Sequence, residues 1–360
     1  MMKKLFTLLL AGAMIMTAGC GAGQKTDSNE TGQSDKTKAQ DEGDIMFTDE
    51  DTLPNLMAVS DGVYYIMTGL YGEDSYRLSV SESIEDLHFV YEQEGAGTWY
   101  LYAEGDYAAW AEWGDSGYEY KVYDRKNDKV QTVESVKAGE DEGQNMQMGL
   151  HNGKLYYSLN DYKAGKSRIL CYDPASEKKE TVYETALAEN GSCLSVNSGV
   201  LTAYMGEGED ARQKLVQIDL ESGDKKEIEV PGDLDSLYAV SYDRDNDLIA
   251  LYYHAVDSET EDIGTFTPGD KEIKSLYSMP ENLYAYRDRI DIENGLLYWV
   301  TQINTTGDIV DHYSMTQYDC TNDKPQEYKQ TFGYALADGK LYTLSYGDGP
   351  TVVCVNEVTH

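Results

Sequence analysis

A two-residue turn signal recurs seven times along this chain, and each copy opens an apolar or aromatic run. The copies are Asp61-Gly62, Gly105-Asp106, Asn152-Gly153, Ser198-Gly199, Asn246-Asp247, Asn294-Gly295 and Asp338-Gly339. Their second residues are separated by 44, 47, 46, 48, 48 and 44 positions. Runs such as Val63-Tyr64-Tyr65, Leu155-Tyr156-Tyr157 and Leu296-Leu297-Tyr298 follow. A period of about 40–50 residues made of short strands is that of a β-propeller, in which neighbouring sheets cover each other's faces.

The third repeat displays the unit most clearly. Met148 to His151 leads into Asn152-Gly153, a pair suited to a type I′ turn because both central residues tolerate positive φ. Leu155 to Leu159, Arg168 to Tyr172 and Lys179 to Tyr183 supply three more strands. Third strands end on an aspartate at Asp124, Asp173, Asp219 and Asp319. Fourth strands follow at 130–133, 181–183, 227–230, 273–277 and 327–330, with 87–91 as their counterpart in the first repeat. The final repeat offers three strands only, at 332–336, 341–346 and 352–355. Residues 45–48 are expected to complete it as its outer strand, which removes an exposed edge. The expectation is an all-β, seven-bladed propeller of four-stranded antiparallel blades. The second and fourth repeats have the weakest turn signals, so six or eight blades stand as the alternative count.

The N-terminus speaks to location. Lys3 and Lys4 precede a short apolar run, Leu5 to Met16, and the small residues Ala18 and Gly19 lead to Cys20. This is a secretory signal, too short for a stable membrane span. Thr17-Ala18-Gly19-Cys20 resembles the bacterial lipobox, with Thr17 where the family usually has Leu. The resemblance implies lipidation of Cys20 as the first mature residue, and anchoring at the outer face of the cytoplasmic membrane or the cell surface. Residues 21–44 are polar and without periodicity, a tether spanning about 27 Å root mean square. The domains expected are a signal over 1–19, lipidated cysteine and tether over 20–44, and the propeller over 45–360.

Charge narrows the partners. The chain has 29 Lys and Arg against 65 Asp and Glu, and loss of Lys3 and Lys4 with the signal takes its net charge from −36 to −38. Such a charge argues against nucleic acid and against docking on anionic lipid. It suits solubility, cation association or a basic partner. Cys171, Cys193, Cys320 and Cys354 lack zinc-site spacing. Cys171 and Cys193 stand as a candidate cross-blade disulfide, with buried free thiols as the alternative.

Few residues point to chemistry. Gly114-Asp115-Ser116-Gly117 is similar to a serine-protease nucleophile segment, but Tyr118 follows where that family has Gly, and no partner histidine motif lies upstream. The carboxylates of Asp243, Asp245 and Asp247 alternate like the start of a calcium loop. Leu248 and His254 occupy its Gly and Glu positions, so an EF-hand is excluded and a looser calcium turn is the remaining metal candidate, against a plain polar turn. His151, His254 and His312 fall in separate repeats without metal spacing, and no cofactor motif is present. Tyrosine is abundant, at 31 residues. Trp99, Trp110 and Trp113 with Tyr118 and Tyr120 form the densest aromatic patch, and Trp113 and Tyr118 are its ligand-surface candidates.

With its lipobox, tether and Asp/Asn-Gly-x-Leu-Tyr-Tyr repeats, the chain resembles bacterial propeller lipoproteins. Ile218-Asp219-Leu220-Glu221-Ser222-Gly223 is similar to a strand-loop segment of TolB-like and quinoprotein-like propellers. That resemblance implies architecture and carries no catalytic residue with it. Three readings of function follow as expectations. One is a monomeric, non-enzymatic scaffold binding a protein, peptide or glycan. Another is a glycan-active hydrolase or lyase with carboxylates meeting over the channel, which requires a deep pocket and a carboxyl of raised pKa. A purely structural envelope protein is the third.

Overall fold

The computed structural model describes residues 45–47, 52–70, 75–83, 86–115, 117–137, 146–187, 192–205, 214–303, 309–347 and 349–358. The signal, Cys20, the tether, Thr48 and Ser116 lie outside them.

Among the described residues every regular element but one short 3-10 turn is a strand. Strand β1 is Ile45–Phe47. The first blade holds β2 (Thr52–Ser60), β3 (Val63–Leu70), β4 (Ser75–Ser81) and β5 (His88–Glu94). The second holds β6 (Ala96–Glu104), β7 (Tyr107–Gly114), β8 (Gly117–Asp124) and β9 (Lys129–Lys137). The third holds β10 (Met148–His151), β11 (Lys154–Asp161), β12 (Lys166–Asp173) and β13 (Lys178–Ala186). The fourth holds β14 (Ser192–Asn197), β15 (Val200–Met205), β16 (Lys214–Asp219) and β17 (Lys225–Glu229). The fifth holds β18 (Leu234–Asp243), β19 (Leu248–Ala255), β20 (Glu261–Phe266) and β21 (Lys274–Ser278). The sixth holds β22 (Leu283–Glu293), β23 (Leu296–Ile303), β24 (Tyr313–Asp319) and β25 (Lys324–Lys329). Then come β26 (Thr331–Ala337), β27 (Lys340–Gly347) and β28 (Gly349–Val358).

Six blades are therefore built from four consecutive antiparallel strands each. The remaining sheet is composite, in the order β1-β28-β27-β26. Ile45, Met46 and Phe47 pair with Val355, Cys354 and Val353, so the two ends of the domain meet in one sheet. The chain is an all-β propeller of four-stranded antiparallel blades.

Burial explains the strand chemistry. Second strands such as β11 and β15 are buried along almost their whole length, whereas fourth strands such as β13 and β25 are mostly exposed. A second strand is covered on both faces by adjacent blades, which selects continuous apolar runs. The apolar clusters lie between blades rather than inside one. Tyr65 and Leu78 of the first blade pack with Trp110 of the second, and Trp299 of the sixth with Tyr252 of the fifth. Met57 and Ile66 of the first pack with Tyr342 and Leu344 of the composite sheet, which closes the ring.

The turn signals work as their chemistry requires. In the pairs opening at Asp61, Asn152, Ser198, Asn294 and Asp338, both residues have positive φ, the type I′ signature. The Ser198-Gly199 turn is thus regular despite its weak sequence. The departures are Gly105-Asp106 and Asn246-Asp247, where only one residue of each pair is left-handed.

Cys171 and Cys193 are free buried thiols, so the disulfide expectation does not hold. The reason is geometric. Cys171 packs between the third and fourth blades, and Cys193 between the fourth and fifth.

Candidate functional site

Antiparallel meanders divide the propeller into two ends. The first-to-second and third-to-fourth connections lie at one end, here the turn end. The second-to-third connections and the links between blades lie at the other, here the loop end.

At the turn end, hydrogen bonds link the first six blades one to the next. Gly105 N donates to Ser60 Oγ (2.9 Å), Gly153 N to Glu104 Oε2 (3.0 Å), Arg244 Nη1 to Ser198 O (3.5 Å) and Gly295 N to Asp243 Oδ2 (2.6 Å). His151 Nε2 lies 3.0 Å from Glu221 Oε1, which also accepts from Asn152 Nδ2 at 2.7 Å. The His151 and Asn152 contacts hold the Glu221 carboxyl below its ordinary value. The third-strand aspartates are turn caps. Asp173 Oδ1 accepts from Ala175 N (3.0 Å), Asp219 Oδ1 from Ser222 N (2.9 Å) and Asp319 Oδ1 from Asn322 N (2.9 Å).

The calcium candidate belongs to this end. Asp243 Oδ1 accepts from the Asp245 and Asn246 amides, and Oδ2 from Asn246 Nδ2 and Gly295 N. Asp247 Oδ1 accepts from Tyr242 OH at 2.8 Å. The same six-residue turn, Tyr-Asp-x-x-Asn-Asp, recurs at Tyr123–Asp128 and Tyr318–Asp323, with the last aspartate left-handed each time. Turn geometry thus accounts for Asp243 and Asp247. Asp245 is exposed. No group of three or more His, Cys, Asp or Glu that could hold a metal ion exists among the described residues.

The loop end is where apolar side chains face water. Among the described residues five large apolar side chains are exposed, and four of them lie here: Trp113, Tyr162, Val256 and Tyr284. The fifth, Phe89, lies on an outer strand. Trp113 and Tyr118 are brought together as a cross-strand pair on β7 and β8. Trp113 is 48% exposed, and its indole lies over Gly97, where a Cβ would come within 2.8 Å of the ring. Tyr118 packs edge-on to Tyr120 at 5.9 Å. Trp110 is instead fully buried, its Nε1 donating to Tyr76 OH at 2.8 Å. Tyr162 sits alone in polar sequence, whereas Val256 and Tyr284 adjoin strand residues and read there as part of the strand pattern.

The residues lining the channel between these ends were not singled out in the sequence. Strand β22 bulges strongly: Ala285 pairs with Thr301 and Ile290 with Trp299, leaving Tyr286 to Arg289 against one residue of β23. Asp288 lies at its crest with φ +45°. Opposite, Tyr100 occupies a bulge of β6 at φ +55°, a strained conformation for a bulky side chain. Arg289 Nε donates to Asp291 Oδ2 (2.7 Å), and its guanidinium lies 4.7 Å from the Tyr334 ring centroid and 5.4 Å from that of Tyr102. Tyr334 OH donates to the same Asp291 oxygen at 2.7 Å. Gln147 spans blades: Nε2 reaches Tyr238 O (3.0 Å) and Asp288 O (3.5 Å), and Oε1 accepts from Leu194 N (2.6 Å). Tyr100, Tyr102, Gln147, Asp288, Arg289 and Asp291 help to bound a cavity of about 350 Å³, open mouth included. Its enclosed part has room for about one or two waters. The Asp288 carboxyl is pushed up to about 6, first by desolvation among the channel walls and then by the Glu261 charge. One sequence signal existed: Arg287-Asp288-Arg289 breaks the alternation of an innermost strand.

No protein-family model and no curated protein matches the chain. Solved structures do. The β-propeller domain of the trilobed protease of Pyrococcus furiosus matches at TM-score 0.56 and 12% identity, over 86% of this chain and 98% of that one. An oligogalacturonate lyase of Vibrio parahaemolyticus matches at TM-score 0.52 and 12% identity, over 86% and 92%. Acylaminoacyl peptidase of Pyrococcus horikoshii matches at TM-score 0.53 and 13% identity, over 83% of this chain. The chain spans about half the length of that peptidase, at 50%. Identities this low establish the shared propeller fold alone.

Proposed function

We propose that this protein is a lipid-anchored binding scaffold on the outer face of a bacterial membrane, and that the composite sheet serves as its seventh blade. The loop end is its binding surface, and the partner is a protein, peptide or glycan. The observation that carries the reading is the gathering of Trp113, Tyr162, Val256 and Tyr284 at one end of the sheets. Exposed aromatic and apolar side chains held at the ends of rigid strands are what interfaces use as anchors. The channel supports the same reading, because Arg289 between two tyrosines and Gln147 across several blades leave no room for a sugar ring. Lipid on Cys20 and the tether fix the scaffold to the bilayer, and Cys20→Ala is expected to release the protein from cells.

The test is array binding by the full chain, against peptides and glycans. Hits are expected to weaken with Trp113→Ala and Tyr162→Ala and to persist with turn-end substitutions such as Glu221→Gln. Hits that depend on the turn end would overturn the assignment of the face.

A second reading has one observation in its favour. The raised carboxyl of Asp288, with Glu261 as its charged neighbour, is what a glycan-active hydrolase or lyase requires. Two solved neighbours of similar fold are oligogalacturonate lyases. Turnover of an oligosaccharide that stops with Asp288→Asn would establish that reading instead.

A further inference from the structure

Asp288 projects into the channel from a left-handed position at the crest of the widest bulge among the described residues. The Gly-like conformation at a non-glycine residue is held by surrounding structure, here the Gln147 bond to the Asp288 carbonyl. Its carboxylate is open to the lumen and has no ion pair or side-chain hydrogen bond among the described residues. The adjacent Arg289 is committed to Asp291, Tyr102 and Tyr334. The groups that influence Asp288, or are influenced by it, come from four strands and carry no cation: Glu261 of β20, Tyr238 of β18, Tyr252 of β19 and Cys193 of β14, with Tyr284 on its own strand. A carboxylate in such surroundings stays charged at neutral pH at a cost in stability, and it is relieved by a cation from outside.

We infer that the loop-end mouth of the channel is a receptor site for the ammonium group of a lysine side chain presented by a basic partner protein, with Asp288 as its counter-ion. The inference rests on the loop-end reading above and names the chemistry of the partner. Size selects the ammonium. The enclosed space has room for about one or two waters, which suits a compact –NH₃⁺ and not a planar guanidinium. Tyr100 in the wall offers apolar and π surface to the aliphatic stem, and Tyr284, on the same strand as Asp288, is exposed at the loop end. The net charge of −38 on the mature chain draws a basic partner toward the mouth and raises its encounter rate.

The experiment titrates three small probes into the full chain at pH 8 and follows them by NMR. They are N-acetyl-lysine methylamide, N-acetyl-arginine methylamide and glycinamide, the last presenting only an amino terminus. The lysine probe is expected to saturate, the other two to bind about tenfold more weakly or worse, and Asp288→Asn to lower lysine affinity by about tenfold or more. Affinity is expected to fall as pH drops below about 6, where Asp288 takes up a proton. Asparagine tolerates the left-handed backbone, so the variant folds. A stability readout separates a binding residue from a structural one. A carboxyl raised in the folded state binds more protons there than in the unfolded chain, so its contribution to stability declines as pH rises toward 6. Asp288→Asn is therefore expected to raise Tm at pH 8, with the gain vanishing near pH 4. A lower Tm at pH 8, equal binding of glycinamide, or lysine binding unchanged in Asp288→Asn would each overturn the inference. Array hits that survive Asp288→Asn while the lysine probe fails would remove the lysine site and leave the loop-end scaffold standing.

Discussion

The two ends of this propeller use the same residue types for opposite purposes. At the turn end, acidic side chains are spent on backbone: Asp173, Asp219, Asp243 and Asp319 accept amide protons within their own turns, and Glu104 and Asp243 reach across to the next blade. At the channel mouth Asp288 accepts nothing from a side chain or amide among the described residues and instead meets the lumen. Aromatic residues divide in the same way. Tyr123, Tyr242 and Tyr318 close turns by donating to an aspartate five residues on, whereas Trp113, Tyr162 and Tyr284 face water. Satisfied polar groups mark scaffold, and unsatisfied or exposed groups mark surface held ready for something else. A substitution at the turn end should therefore act on stability, and one at the loop end on binding.

The largest effect is expected where the ring closes. Removing residues 45–50 strips β1 from β28 and leaves the composite sheet with an open edge. Tm is expected to drop by more than for any point substitution considered below. An unchanged melting curve would mean that the pairing of the two ends contributes nothing. Asp243→Ala comes next. Asp243 is 3% exposed, and its loss leaves the buried Gly295 amide unpaired as well as the local turn uncapped. The expected cost is about 2–3 kcal/mol, read by denaturant unfolding with no calcium present. Stability that falls only when calcium is supplied would show instead that the carboxylate serves a metal.

The repeat was legible because its determinants are local. A type I′ turn needs particular residues, and a second strand covered on both faces needs a continuous apolar run; both are written into adjacent positions. Even the pairing of Ile45–Phe47 with β28 followed from a missing strand at the other end. The disulfide reading failed because closeness in sequence and repeat does not specify which side of a blade a thiol faces. The calcium reading at Asp243, Asp245 and Asp247 was ambiguous for a related reason. Alternating aspartates serve a capped turn as well as a cation, and the matching turns at Tyr123 and Tyr318 were the available clue. Trp113 and Tyr118 stood out because aromatic density is visible locally, and the structure pairs them across β7 and β8. Tyr162 was missed because a lone apolar residue in a loop carries no pattern, and Val256 because it reads as part of the adjoining strand. The Asp288 site was missed because it is assembled from inner strands of several blades and depends on a bulge, whose extra residues shift register without leaving a turn signal.

A smaller effect sharpens the turn-end half of the comparison. Gly153 has φ +69°, and a Cβ there would meet the Tyr107 ring at 3.0 Å. Gly153→Ala is expected to cost about 1–2 kcal/mol, from the left-handed backbone and the ring displacement together. Binding at the loop end should be untouched. A variant that melts normally would mean that this turn relaxes into a conformation that tolerates alanine.

Trp113→Ala should produce the smallest change in stability and the clearest change in binding. The ring is half-exposed, and what it loses on the protein side is its packing over Gly97. The expected stability change is below about 1 kcal/mol, because surface substitutions away from caps and buried networks rarely exceed that. As an anchor in a protein or glycan interface, the same ring is worth about 2 kcal/mol or more, a loss of about thirtyfold in affinity. The contrast with Asp243→Ala is the informative part, since one variant loses stability with binding intact and the other loses binding with stability intact. If Trp113→Ala melts several degrees lower and binds normally, the indole is there to fill the space above Gly97. The loop end would then have to be defined by Tyr162, Val256 and Tyr284 alone.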